Sequence, residues 1–189
     1  TAQRIPFVAL EADPGTVEDL RRFGNHLYYG DPTRPDLLRA AGGDQIRVFV
    51  MAMDDPDTNL RAVRLVRRLY PHAKVLARAR NRQHAWKLMD MSAEPFREVF
   101  GSSLEISERV LTALGIAENT AREHVRRFRE HDEKLLKAQH LVYDDEAAVM
   151  QTSRDARADL MHLFEADAGD DEDEDEDGGS PQRPTANRE

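Results

Sequence analysis

Residues 47–56 read RVFVMAMDDP, a short apolar run that ends in two aspartates and a proline. A run of this length bounded by turn residues is typical of a buried strand, and the polar turn after it favours the start of a helix. The same pattern recurs along the chain. Three more apolar runs that end in polar or turn residues lie at residues 5–10, 26–29 and 74–80. We therefore predict four strands that alternate with helices.

This alternation predicts an α/β fold built on a parallel sheet, with helices on both faces. Nearly continuous apolar strands are typical of such doubly covered sheets. We expect one last strand at residues 96–100, and beyond it only helices. Those helices are predicted at residues 104–114, 118–138 and 146–164. The predicted domains are a sheet domain at 1–100, a helical extension at 101–164 and an acidic tail at 165–189.

The charge of the chain is concentrated in the tail. The 189 residues carry a formal net charge of −9, and residues 165–189 alone hold 11 acidic and two basic side chains. Eight consecutive acids at 170–177 repel one another and offer nothing to a core, so we expect a disordered tail. The neutral body argues against nucleic-acid binding. The absence of cysteine excludes disulfides, thiolate zinc sites and a cysteine nucleophile.

Ligands of open parallel sheets bind beyond the carboxyl ends of the strands, and those ends are unusually polar here. The side chains at these ends are Glu11, Asp31, Thr33, Asp54, Asp55, Arg78 and Arg80. An acid that ends the second strand of a Rossmann-type sheet accepts hydrogen bonds from both ribose hydroxyls, which favours NAD or AMP. Glu11 fits that role, but acids in such turns, including Asp13 and Asp57, also cap helices.

The remaining strand ends leave similar alternatives open. Asp31 and Thr33 either cap the next helix or meet an adenine edge. Of Asp54 and Asp55, we expect one to cap a helix and the other to point into the crevice. Arg78, with Arg80, either recognises a phosphate or acid, or pairs with one of those aspartates.

No catalytic or metal-binding constellation stands out. The seven histidines have no metal-ligand spacing, and we assign them to the surface or to packing. The arginines at 61, 64, 67 and 68 are interpreted as a solvated helix face. We therefore predict no metal site and no enzymatic activity.

Five segments in order carry a resemblance to a known family. They are YGDPTRPDLL at 29–38, MDDPDTNL at 53–60, ARARN at 77–81, EPFREVF at 94–100, and ARE at 121–123 with RF at 127–128. Over about residues 5–140 the chain resembles the potassium-transport nucleotide-binding (TrkA-N, RCK) domains. The likeness is greatest to the cytosolic domain of the glutathione-gated Kef potassium-efflux antiporters.

The resemblance implies a Rossmann-like domain that binds AMP or NAD(H) and forms a homodimer. It also implies a place at the cytoplasmic face of the inner membrane, as part of a potassium/proton antiporter whose membrane domain is in the same or a separate chain. Glutathione keeps such systems closed, and its adducts open them. Arg97 matches a family arginine that contacts glutathione. Arg129 stands where the family can carry an asparagine. Whether an ancillary activator subunit exists is left open.

One departure concerns the start of the domain. The family's first strand and its G-x-G-x-x-G loop have no counterpart in this sequence, so the predicted fold is an N-terminally truncated Rossmann-like sheet. We expect the C-terminal part of a larger protein, or the product of a broken gene. A sheet without its central strand leaves unpaired edges and exposed apolar surface, which predicts association.

Two other readings compete with this one. If the chain were a fragment of an NAD-dependent dehydrogenase, we would expect a catalytic acid or base after Arg80, and the sequence shows none. The second alternative, an interaction protein with an acidic tail, is supported only by residues 170–177. The potassium-efflux regulator is the favoured hypothesis.

Overall fold

A computed structural model of the protein describes residues 5–23 and 27–174, with side chains as far as residue 162. The strands are β1 (Leu10–Glu11), β2 (Tyr28–Tyr29), β3 (Val48–Met51), β4 (Lys74–Arg78) and β5 (Glu94–Phe96). The helices are α1 (Pro14–Arg22), α2 (Pro35–Ala40), α3 (Pro56–Leu69), α4 (Arg82–Asp90), α5 (Glu98–Ala113), α6 (Glu118–His140) and α7 (Glu146–Glu174). The chain forms two compact units that divide between Gly115 and Ile116, so α5 lies in the first unit.

The first unit confirms the predicted α/β class. Its strands form a two-stranded sheet of β1 and β2 and a three-stranded sheet in the order β3-β4-β5. Every strand pair is parallel, with Val50 opposite Leu76 and Ala77 opposite Pro95. Helices connect successive strands, as parallel pairing requires.

The core of this unit lies on one face of the three-stranded sheet. Successive strand side chains point to opposite faces, and those of Phe49 and Met51 are buried. The same core contains Val63 and Val66 of α3, Val75 of β4 and Leu88 of α4, all fully buried. On the opposite face Val48 and Val50 are exposed. The expectation that helices cover both faces is therefore wrong for the described residues.

Two predicted strands differ from the observed ones. The first is only two residues long and pairs with β2 alone among the described strands, and Ile5, Phe7 and Val8 are exposed rather than buried. The last was predicted at 96–100, but β5 ends at Phe96, opposite the last residue of β4. A helix begins at Glu98, where an acid in the first turn complements the helix dipole.

The second unit contains α6 and α7, which pack against each other. Leu136 and Gln139 of α6 are buried, and the Gln139 Nε2 donates a 2.8 Å hydrogen bond to Ser153 Oγ. Helix α7 continues to Glu174, past the predicted end at residue 164. Residues 175–189, the rest of the predicted acidic tail, lie outside the described residues. In the described part of the chain, no helix is both long and apolar enough to cross a membrane.

Candidate functional site

The two aspartates after β3 have different tasks, as the sequence predicted. Asp55 is the N-cap of α3, and its carboxylate accepts a 2.8 Å hydrogen bond from the Thr58 backbone N–H. The Asp54 carboxylate does not cap the helix and pairs instead with the Arg78 guanidinium. Asp57 lies in the first turn of α3, so the expectation that it caps this helix is wrong. Asp13 does cap α1.

The turn after β2 presents an ionised carboxylate. Asp31 Oδ1 accepts hydrogen bonds from the Thr33 backbone N–H at 2.8 Å and from Thr33 Oγ1 at 2.7 Å. These bonds, assisted by the positive charges of Arg34 and Arg61, hold the pKa of Asp31 below its ordinary value. Neither residue caps α2, whose N-cap position is Arg34. The capping alternative is therefore wrong, and the carboxylate remains an acceptor at the strand end.

Glu11 leaves β1 beside this turn. The Gly30 N–H donates a 2.9 Å hydrogen bond to the Glu11 carbonyl, so Glu11 and Asp31 follow neighbouring strands at the same edge. The Glu11 side chain accepts a 2.9 Å bond from the Asp13 N–H. A Cβ at position 30 would lie 3.0 Å from Leu37 Cδ1, so a larger residue there would require the Leu37 side chain to shift.

Arg61 lies on the exposed side of α3, and its positive charge acts on the carboxylates that follow β2 and β3. Its Nη2 donates a 2.6 Å hydrogen bond to Thr58 Oγ1, and its charge contributes to the lowered pKa of both Asp31 and Asp55. Arg67, assigned to the same solvated face, instead donates to the carbonyls of Ala73, Met91 and Ser92. The solvated-face interpretation is therefore wrong for Arg67, whereas Arg61 is exposed as predicted.

A second group of side chains surrounds what we call the strand-end cavity, of about 300 Å³. The cavity is lined by Met53, Asp54, Arg78, Ala79, Arg80, His84, Glu98 and Val99. Arg78 lies between two acids: it pairs with Asp54 and, through Nε at 2.6 Å, with Glu98 Oε2. The ion-pair alternative for Arg78 is therefore present in the structure, with Glu98 as a partner that the sequence did not suggest.

Asn59 fixes the strand ends that carry Asp54 and Arg78. This fully buried side chain donates from Nδ2 to the Met51 carbonyl at 3.2 Å and to the Arg78 carbonyl at 3.3 Å. It thereby ties β3 and β4 to α3 at the edge where the cavity lies.

His84 borders the same cavity from the first turn of α4. The side chain is buried, as the packing assignment predicted, and its Nδ1 accepts a 3.2 Å hydrogen bond from the Arg80 N–H. Burial, followed by the charge of Lys87, lowers the pKa of His84, while Asp57 opposes the shift. The Nε2 atom is buried without a hydrogen-bond partner among the described residues.

Two arginines are the candidates for glutathione, and they belong to different units: Arg97, which matches the family arginine, and Arg129, which stands where the family can carry an asparagine. Arg97 occupies the N-cap position of α5 with its guanidinium 4.0 Å from the centre of the Phe100 ring, a cation–π contact. Arg129 is exposed on α6. Across the described ranges, no group of three or more histidine, aspartate or glutamate side chains is arranged to hold a metal ion.

Comparison with known proteins places this geometry in a family. The TrkA-N domain matches residues 1–96, and the potassium efflux system KefB C-terminal domain matches residues 102–179. The glutathione-regulated potassium-efflux system protein KefC of Escherichia coli is 34% identical over 164 residues, which cover 86% of this chain and 26% of that protein. KefC of Salmonella arizonae is 38% identical over 154 residues, covering 79% of this chain and 25% of that one.

A solved structure gives the same assignment. The Shewanella denitrificans Kef CTD in AMP-bound form is 32% identical, with a TM-score of 0.67, and the match covers 75% of this chain and 87% of that one. The chain spans about a quarter of the length of the curated relatives it matches, 26% for the Escherichia coli protein.

The parallel sheet and its connecting helices are those of a Rossmann-like α/β domain. The chain belongs to the TrkA-N domain family, and its second half matches the potassium efflux system KefB C-terminal domain.

Proposed function

We propose that this chain binds a nucleotide and glutathione as the regulatory part of a potassium/proton antiporter and gates potassium efflux. The observation that carries the proposal is the set of ionised and hydrogen-bonding side chains at the strand ends, in a chain similar to a Kef CTD that binds AMP. The curated relatives are named as potassium-efflux system proteins, which supports a function without enzymatic activity.

The proposed nucleotide is AMP or NAD(H), bound beyond the carboxyl ends of β1 to β4. Its proposed contact residues are Glu11, Asp31, Thr33, Asp54 and Arg78. Asp55, the sixth candidate from the sequence, caps α3 instead. Carboxylates at the ends of β1 and β2 suit the hydroxyl and amino groups of a nucleoside, because an ionised carboxylate is a strong double acceptor. Arg78 supplies the positive charge that a phosphate requires.

Calorimetric titration with AMP tests the nucleotide site. We expect Asp31→Asn to weaken AMP binding by about 10- to 100-fold, because a hydrogen bond to a charged acceptor contributes about 1.5–3 kcal/mol. Asp36→Asn is the matched control. This exposed carboxylate lies five residues after Asp31 and pairs with Arg34, so its loss should leave the affinity unchanged. Equal affinities for the Asp31 variant and the unmodified chain would remove Asp31 from the site.

Glutathione is proposed to bind through Arg97, with Arg129 as a second contact. Glutathione is anionic at neutral pH, and a guanidinium at the start of α5 suits a carboxylate. A bulkier glutathione adduct would favour the open state of a two-state gate, within a homodimer attached to the membrane domain. In this scheme the ligand acts only through its different affinities for the two states.

Potassium efflux from cells that express the complete transporter tests this step. Arg97→Glu should abolish inhibition by glutathione, whereas Arg109→Glu, on the same helix and paired with Glu105, should retain it. Normal inhibition in the Arg97 variant would contradict the glutathione assignment. It would leave the proposed nucleotide site unaffected.

A further inference from the structure

The outward side of α3 carries a stripe of three arginines, which we call the arginine face. Arg61, Arg64 and Arg68 are all exposed on this helix. Their spacing of three and four residues places them within about 60° of one another around the helix axis, over a length of about 10 Å. Three guanidinium groups are therefore presented to solvent along one line.

The arginine face is unfavourable for the helix that carries it. The residues three and four positions from Arg64 are Leu60, Arg61, Arg67 and Arg68. Like charges at this spacing destabilise a helix, whereas several arginines of α5 and α6 pair with acids three or four residues away. Among the described residues, Arg64 and Arg68 have neither a hydrogen bond nor an ion pair. A charge pattern that weakens its own helix and has no internal partner indicates an external one.

The composition of this side of α3 favours one kind of partner. None of the large apolar side chains of α3 is exposed, because they face the core. A protein partner usually needs an apolar or aromatic anchor at the centre of the interface, and the arginine face offers none. An anionic membrane surface needs only basic side chains close to it, and each of them contributes separately. A guanidinium also matches the phosphate of a lipid headgroup with two parallel hydrogen bonds.

We propose that the arginine face docks the first unit on the anionic headgroups of a phospholipid membrane. The inference rests on the proposed function, which attaches this chain to a membrane domain. Such an attachment holds the face near the bilayer at a high effective concentration, so a contact made by only three arginines is occupied. The contact would fix the orientation of the first unit against the membrane.

Sedimentation of the full chain with phospholipid vesicles tests the proposal. The probes are vesicles of equal parts phosphatidylglycerol and phosphatidylcholine, and vesicles of phosphatidylcholine alone, at low ionic strength where screening is weak. We expect binding to the anionic vesicles only. Arg64→Gln combined with Arg68→Gln should weaken this binding by about 25-fold, because each basic residue near an anionic surface strengthens it by about five-fold. Both substitutions remove like-charge repulsion from α3, so the variant should remain folded.

Arg22→Gln combined with Arg109→Gln is the matched control. These exposed arginines belong to the same unit and pair with acids on their own helices. The control removes the same charge as the test variant and should weaken vesicle binding by less than about two-fold, because salt screens distant charges. A chain that binds both kinds of vesicle equally, or equal binding of the two double variants, would overturn the proposal.

Two further titrations separate this proposal from its alternatives. Poly-glutamate represents an acidic protein: if it binds through Arg64 and Arg68 and anionic vesicles do not bind, the lipid proposal is refuted. Calorimetric titration of the Arg64 and Arg68 double variant with AMP should match that of the unmodified chain, because neither arginine is a proposed nucleotide contact. Normal AMP binding without vesicle binding would refute the membrane contact alone. Vesicle binding without AMP binding would refute the nucleotide proposal and support the membrane contact.

Discussion

Replacing Asn59 by alanine should destabilise the first unit by about 2–3 kcal/mol. The Asn59 side chain is fully buried, and its Nδ2 group donates to the Met51 and Arg78 carbonyls at 3.2 and 3.3 Å. No other described side chain joins the ends of β3 and β4 to α3 in this way. The substitution therefore removes the connection that holds Asp54 and Arg78 at one edge of the sheet.

The magnitude follows from three contributions. Each lost hydrogen bond between neutral groups is worth about 1 kcal/mol, which gives about 2 kcal/mol for the pair. The small void left by the amide adds about 1 kcal/mol. Part of this sum is returned, because Asn59 Oδ1 has no hydrogen-bond partner and its desolvation penalty disappears with it. Since domains are stable by only about 5–15 kcal/mol, the loss is readily measured.

Urea unfolding followed by tryptophan fluorescence isolates this effect. The chain has one tryptophan, and Trp86 is buried on α4 in the first unit, so its emission reports on that unit. Gln83→Ala is the matched control: this amide is exposed on the same helix as Trp86, and its loss should change the unfolding free energy by less than about 0.5 kcal/mol. If Asn59→Ala loses no more stability than the control, the strand-tie argument is refuted.

Three further predictions concern the rest of the chain. Arg67→Met should lower the unfolding free energy by about 3 kcal/mol, because three carbonyls lose a charged donor. Arg68→Met, a substitution on the exposed side of the same helix, should change it little. The same urea assay measures both variants, and equal effects would contradict the argument. The carboxylate of Glu123, hydrogen-bonded to Arg126, should titrate with a pKa of about 2 instead of 4.5 in carboxyl-carbon magnetic resonance. The stabilisation from this pair is complete above pH 4.5 and is lost as the pH falls towards 2; an ordinary midpoint would exclude the pair. The isolated chain should self-associate in sedimentation experiments through the exposed apolar sheet face, and Val50→Lys should shift it towards monomer; a monomeric unmodified chain would contradict this.

The sequence predicted what periodicity and turn chemistry determine. The apolar runs ending in charged turns identified four of the five strands, the parallel class and the edge at which polar side chains collect. The different roles of Asp54 and Asp55 were also predictable, because two adjacent acids cannot both face one ligand. These features depend on residues within a few positions of one another.

What the sequence did not predict depends on contacts between distant segments. The pairing of Glu98 with Arg78 joins residues 20 positions apart and requires a helix where a strand was expected. Arg67 resembled a solvated residue, but the carbonyls of Met91 and Ser92 reach it only once β4 and α4 have folded back. The buried Nε2 of His84 likewise depends on where the turn after β4 places the ring.

Amide chemical-shift mapping with AMP tests most directly the claim that the strand ends form a nucleotide site. On addition of AMP to the unmodified chain, the account predicts saturating shifts for the turn at residues 30–33 and for residues 54–58 at the start of α3. The amides of α6 and α7, which carry none of the proposed contacts to the nucleotide, serve as the internal reference. Shifts at saturating AMP that spare both strand-end segments, or no shifts at all, would contradict the account.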